Sequence, residues 1–197
     1  MARIEIKVPD WLDRVCAWPA VEYRRWKYGY TYRRIYLGEG RFTIVEPEDY
    51  YWLNNFHWSI KKRGDCFYAI RFLNTPDDKL KFILLHREIM KAPKGVLVDH
   101  RNNDGLDNRR ANLRLATRSQ NNINRRQNKS KTLSRFVGVT FDRRRRRWVA
   151  RIYINGKCKF LGSFDNEIDA AMAYDAAAKK YYGEFARLNF PETADRV

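Results

Sequence analysis

Hydrophobic and polar positions alternate with a short period over much of the chain, broken by turn residues and by short helical stretches. "RRIYLGEGRFTIV" (33–45) predicts two short strands around Gly38 to Gly40, and "PEDYYWLNNF" a short helix opened by Pro47. "HWSIKKRGDCFYAIRFL" predicts a hairpin turning at Arg63 to Asp65, and "LKFILL" a further strand. "HREIMKAP" reads as a helical turn ended before Pro93, and "GVLVDH" as a strand. Arg101 to Arg110 is almost all Asn, Asp, Gly and Arg, which is loop chemistry. "NLRLA" resumes an extended segment, and "TRSQNNINRR" opens a helix with Thr117 and Gln120 in capping-box spacing. The order is strand, polar loop, strand, helix.

After the polar linker "QNKSKTLS", the segments "FVGVTF", "WVARIYI" and "KFLGSF" alternate as three antiparallel strands. Their turns fall at "DRRRRR" and at "NG", the latter a strong two-residue hairpin signal. The Ala-rich "NEIDAAMAYDAAAKKYYG" is a helix stopped by Gly183. The first 29 residues are aromatic and basic without a clear period, an arm or a short helix. Together these elements give an α+β chain.

Composition narrows the partner. With 197 residues and 44% hydrophobic content the chain is expected to fold, while a net charge of +17 and a pI near 10 call for a polyanion, nucleic acid first and an anionic membrane second. From Arg101 to Arg151 there are sixteen Lys or Arg against three Asp, so a surplus of 13 charges is concentrated there. Cys16, Cys66 and Cys158 form no C-x-x-C pair, which speaks against a disulfide framework or a zinc ribbon. The N-terminus has no apolar core of signal-peptide length and no run is long enough to span a bilayer. A soluble, cytoplasmic, DNA-associated protein is expected.

The chemistry is concentrated in "VDHRNNDGLDNRRANLRLATRSQNN", Val98 to Asn122. A phosphodiester resists attack because of its own charge, so its cleavage needs an activated water and a cation on the developing charge. His100 suits the base, its unperturbed pKa lying near neutrality. The stretch closely resembles the HNH, or ββα-metal, nucleases, in particular the homing-type enzymes of phages and mobile introns, through Asp99, His100, Asn112 and Asn121 at spacings of 13 and 9. The resemblance implies that His100 is the general base and that Asn112 holds its imidazole in the needed tautomer. It also implies that Asp99 and Asn121 are the protein ligands of one divalent cation, Mg²⁺ or Mn²⁺ rather than zinc, since both are oxygen donors. His86 is read as structural, with phosphate contact left open, and His57 as partly buried. Arg109, Arg110, Arg114, Arg118 and Arg125, with Arg126, are expected to contact phosphates.

The last sixty or so residues resemble the AP2 (ERF-type) DNA-binding domain through "GV", "RWVARI", "FLGSF", "AAMAYDAAA" and "ARLNFP". That family lays a three-stranded sheet in the major groove with a helix behind it. The alternation agrees, placing Val137, Val139, Phe141, Trp148, Ala150, Ile152 and Leu161 toward the helix and Thr140, Asp142, Arg151, Tyr153, Cys158 and Phe160 on the other face. Thr140, Arg144, Arg145, Arg151, Tyr153 and Tyr174 are the expected DNA contacts, Tyr174 by matching a phosphate-contacting family position. Plant members carry Arg or Trp at several sheet positions where this chain has Val137, Thr140, Asp142, Cys158 and Phe160, so their base preferences do not transfer.

The resulting organisation is an N-terminal arm (1–30), a small β-rich region (31–92), an HNH ββα-metal catalytic module (93–127), a linker (128–135) and an AP2-like domain (136–192). The expected function is metal-dependent hydrolysis of double-stranded DNA by a monomer, with no membrane and no small-molecule substrate. The competing reading is a non-catalytic, repressor-like DNA-binding protein with an HNH scaffold.

Overall fold

In a computed structural model of the chain, residues 9–73, 81–124 and 133–191 are described. They divide into two compact units, the first running to Leu115 and the second from Ala116. No helix among them is long and apolar enough to cross a membrane.

The N-terminal segment is a helix, α1 (Asp10–Tyr28), with Asp10 and Asp13 in its first turn, Arg25 and Lys27 in its last, and Gly29 at φ 80 closing it. These charges oppose the helix dipole at both ends. Arg33, on β1 (Arg33–Gly38), reaches Asp13 at 2.9 Å, and Arg24 donates to the Tyr32 carbonyl at 2.6 Å. β1 pairs antiparallel with β2 (Arg41–Val45), as the sequence predicts, and α2 (Pro47–Leu53) follows with Pro47 in its first turn. β3 (Ser59–Arg63), β4 (Cys66–Leu73) and β5 (Lys81–Leu84) form an antiparallel sheet in that order. α3 (Leu85–Ile89) leads into β6 (Leu97–His100), which pairs with β7 (Leu113–Ala116) across the polar loop.

One core joins the β-rich region to β6 and β7. Ile35, Leu37, Val45, Leu53, Trp58, Ala69, Leu85, Ile89, Val98 and Leu113 pack together, so Val98 and Leu113 of the expected catalytic module share their apolar burial with the β-rich region before it. Burial of this kind stabilises by about 25 cal/mol per Å², and β6 obtains that support from residues far upstream.

The second unit holds α4 (Arg118–Asn124) and an antiparallel sheet in the order β10, β9, β8 (Lys157–Phe164, Arg147–Ile154, Val139–Asp142). The capping box is present: Gln120 N donates to Thr117 Oγ1 at 3.3 Å and Thr117 N to Gln120 Oε1 at 2.8 Å. Asn155 and Gly156, at φ 50 and 77, make the two-residue turn between β9 and β10. α5 (Glu167–Tyr182) packs on the sheet with Ala170, Ala171 and Ala178 fully buried, small side chains that allow close approach. Gly138 is at φ +75, and a Cβ there would meet the Tyr174 ring at 2.0 Å, so both backbone conformation and space demand glycine. The "RLNF" tail is held by Asn189, which bonds the Val137 backbone at both N (2.7 Å) and O (3.1 Å) and donates to buried Asp175.

Candidate active site

β6 ends in Asp99 and His100, 5% and 6% exposed, and the two adjacent residues engage different partners. Asp99 Oδ2 accepts from Arg114 Nε at 2.8 Å and Nη2 at 2.7 Å, both side chains 7% exposed. His100 Nε2 lies 3.2 Å from Asn108 Oδ1. Its ring also meets His86 edge-on with centroids 4.9 Å apart and lies 6.1 Å from the Tyr68 ring. Burial lowers the His100 pKa, against the pull of the Asn108 hydrogen bond and the nearby Asp99, Asp104 and Asp107. Its neutral, proton-accepting form is therefore favoured.

His86 is likewise buried, and among the described residues its Nδ1 has no hydrogen-bond partner. Burial, then His100, then Arg87 push its pKa down to about 3. His57, expected to be partly buried, is exposed.

The loop folds on its own amides. Asn102 Oδ1 accepts from Asp104 N at 2.9 Å and Asp104 Oδ1 from Leu106 N at 3.0 Å, local bonds of the kind Asn and Asp make in turns. Asn112 closes the loop from inside: its Oδ1 accepts from Asn102 N at 3.0 Å, and its Nδ2 donates to Asp107 O at 2.7 Å and to Asn102 Oδ1 at 3.0 Å. The amide oxygen at His100 Nε2 thus belongs to Asn108, where the sequence reading put Asn112; the turns at 102–106 bring Asn108 under the end of β6 and spend Asn112 on the loop itself. Gly105 is also dictated by contact, since a Cβ there would lie 2.3 Å from Phe67 O and 2.8 Å from the Tyr68 ring.

Three of the arginines read as phosphate contacts pair with aspartates of the first unit, Arg109 and Arg114 buried and Arg110 exposed. Arg109 pairs with Asp107 (2.8 and 2.7 Å) and stacks at 3.5 Å over Tyr30. Arg110 pairs with Asp49 of α2 (2.7 and 2.6 Å), and Arg114 with Asp99 as above. A buried or half-buried loop this polar must satisfy its carboxylates, and guanidinium forks do so bidentately. Arg87 fixes the approach to β6 by donating to the carbonyls of Val96, Ala92 (3.1 Å) and Pro93 (2.9 Å), a role no sequence signal announced.

For a cation site, Asp99 supplies one hard oxygen-donor carboxylate, the type a divalent ion such as Mg²⁺ takes. Among the described residues no cluster of three His, Cys, Asp or Glu is present. Asn121 stands half-buried on α4 in the second unit, with its backbone N–H on Thr117 O at 3.0 Å.

In the second unit Thr140, Arg151, Tyr153, Cys158 and Phe160 are exposed on the sheet face away from α5, Arg151 opposite Phe160 and Tyr153 opposite Cys158. Arg144 and Arg145 are exposed at the β8–β9 tip, and Arg118 on α4. Tyr174 is 6% exposed within the helix–sheet core, packed over Gly138, its pKa raised to about 12 chiefly by burial. Arg125 and Arg126 lie outside the described residues.

Comparison with known proteins assigns these two constellations to classes. The family described as HNH endonuclease matches residues 91–123, and the AP2 domain matches residues 134–184. The chain thus carries one segment similar to HNH endonucleases and one similar to AP2 domains. Among individual proteins it is similar to an uncharacterized HNH endonuclease of Acanthamoeba polyphaga mimivirus, 28% identical over 158 residues that cover 77% of this chain and 76% of the other. It is also 49% identical over 57 residues to the AP2-like ethylene-responsive transcription factor TOE2 of Arabidopsis thaliana, covering 29% of this chain and 12% of that protein. A dehydration-responsive element-binding protein of Arabidopsis thaliana is 48% identical over 56 residues, 27% of this chain and 16% of its own length.

Proposed function

We propose that the chain is a metal-dependent DNA endonuclease in which His100 is the general base and the AP2-like sheet holds the duplex. The observation that carries this reading is the buried His100, adjacent in sequence to a carboxylate, held by a hydrogen bond and kept toward its neutral form by burial. Such a group can take a proton from water in attack on a phosphodiester. Asp99 would hold a divalent ion, with Asn121 retained as the second protein ligand on the strength of the motif spacing. When bound, that ion would polarise the phosphate and offset charge in the transition state; oxygen donors favour Mg²⁺ or Mn²⁺. Arg151, Tyr153, Thr140, Arg144 and Arg145 would grip the duplex, and Arg118 would add a phosphate contact. Joining binder and catalyst in one chain raises the effective concentration of the catalytic module at its site.

The test is plasmid nicking with Mg²⁺ or Mn²⁺, comparing wild type, His100→Ala and an EDTA control. Metal-dependent nicking that falls by roughly 10²- to 10⁴-fold in His100→Ala is expected. Retained duplex binding with no nicking by the wild type on any substrate would instead support a non-catalytic DNA-binding protein. Equal nicking by His100→Ala would remove His100 from the mechanism.

A further inference from the structure

The β1–β2 hairpin lies outside the residues matched to the HNH family, yet β2 is stitched to the polar loop. Ile44 N donates to Leu106 O at 2.9 Å, Asn108 N donates to Ile44 O at 2.8 Å, and Ile44 pairs with Asp107 as a parallel bridge. This brings Thr43 against Asn108, both with 0% exposure. Thr43 Oγ1 lies 2.8 Å from Leu106 O, and Asn108 Nδ2 lies 2.7 Å from Thr43 Oγ1 and 3.3 Å from Gly105 O.

The directions of these bonds follow from what each group can do. A carbonyl only accepts, so the single hydroxyl proton of Thr43 goes to Leu106 O and its oxygen faces Asn108 as an acceptor. The Asn108 group beside it must then be the amide NH₂, and Gly105 O, also a pure acceptor, demands the same. The remaining end of the amide is the carbonyl oxygen, 3.2 Å from His100 Nε2. It accepts, so Nε2 carries the proton, and in the neutral ring Nδ1 is the basic nitrogen. Turning the amide over would set its oxygen against Gly105 O in a fully buried place, leaving buried polar groups unsatisfied.

We propose that Thr43 is a positioning residue for His100: through Asn108 it fixes the ring tautomer, so that Nδ1 is the atom that takes the proton. The consequence for catalysis rests on the nuclease reading above, whereas the tautomer does not. Neither Thr43 nor Asn108 touches a reacting atom; each acts through the ring.

Ring-nitrogen NMR on histidine-labelled full-length protein at about pH 8, above the ordinary histidine pKa, reads the tautomer directly. Wild-type His100 is expected to be protonated at Nε2. Thr43→Val keeps the shape and removes the hydroxyl, so the Asn108 amide loses its anchor and His100 becomes a mixture of tautomers. Nicking should fall roughly 10- to 100-fold, the scale seen when partners that orient a functional histidine are removed, and Thr43→Ser should restore both readouts. Wild-type protonation at Nδ1 overturns the inference, whether or not Thr43→Val folds. So does a folded Thr43→Val with unchanged tautomer and rate, while a wild type that nicks leaves the nuclease reading standing. Conversely, a wild type that binds duplex without nicking fails the nuclease reading, and the tautomer measurement still decides the relay.

Discussion

Two arginine-rich stretches of this chain look alike in sequence and meet opposite fates. In "LDNRRANLR" the arginine heads pair with aspartates: Arg109 and Arg114, each 7% exposed, with Asp107 and Asp99, and the exposed Arg110 with Asp49. In "DRRRRRW" the nearby carboxylate is spent differently. Asp142 Oδ1 accepts from the backbone N–H groups of Arg144 (2.9 Å) and Arg145 (3.1 Å), bonds that also hold its pKa down, and Arg143 to Arg146 stay exposed. Whether an arginine is structural or available to a phosphate is thus decided by what its aspartate binds, the head or the backbone. Charge counts alone do not separate the two.

The largest effect should come from breaking one inward pair. Arg109→Ala leaves Asp107 buried with its guanidinium partner gone, and loss of one member of a buried pair costs about 3–5 kcal/mol. Urea unfolding should show a clearly lowered midpoint. The matched control, Arg144→Ala with Arg145→Ala at the tip, should move stability by no more than about 0.5 kcal/mol. Equal stability in the two variants would collapse the distinction between the stretches.

Acid sharpens the contrast further, because only the first unit buries histidines. His86 is held to a pKa of about 3 by burial, then by His100 and Arg87, against about 6.5 in an unfolded chain. Above pH 6.5 both states are neutral and nothing is lost. Below it the unfolded state takes a proton that the folded state refuses, so stability falls with falling pH, by up to about 1.4 kcal/mol per unit for this group. His100, shifted the same way, adds to the slope. Unfolding of His86→Gln across pH 7 to 4 should show a flatter profile than wild type; an unchanged profile would mean that His86 is not buried neutral.

Much of this was open to reading in the sequence because local rules decide it. The "NG" turn, Pro47 at a helix start, the Thr117–Gln120 box and the alternation of β8 to β10 all depend on neighbours a few residues apart. The Asp99–His100 pair was legible for the same reason. What stayed hidden depends on the path of the chain. Asn108 and Asn112 are the same residue type four positions apart, and only the turns between 102 and 106 determine which amide reaches the imidazole. Thr43 lies 65 residues from its partner Asn108, with no local signature. The burial of Tyr174 by helix–sheet packing over Gly138 likewise has no local signature. The aperiodic arm is the helix α1, tied back by Arg33 to Asp13 and by Arg24 to the Tyr32 carbonyl, contacts that no local pattern announces.

The smallest expected change concerns the tip itself and tests its half of the comparison. Arg144→Ala with Arg145→Ala should leave folding, and the tautomer of His100, untouched. Duplex affinity measured over a range of salt concentrations should weaken, and the slope of log K against log salt should fall by about 0.9 for each phosphate contact removed. The weakening should be similar across unrelated duplexes, since phosphate contacts carry no sequence information. Arg151→Ala, on the sheet face opposite Phe160, is the internal comparison. If that residue reads a base edge, its loss should weaken binding to a preferred duplex by about 1–3 kcal/mol and leave other duplexes nearly unchanged. A tip variant that binds as tightly as wild type at every salt concentration would make the exposed arginines merely solvated, and would leave the sheet face to carry the duplex alone.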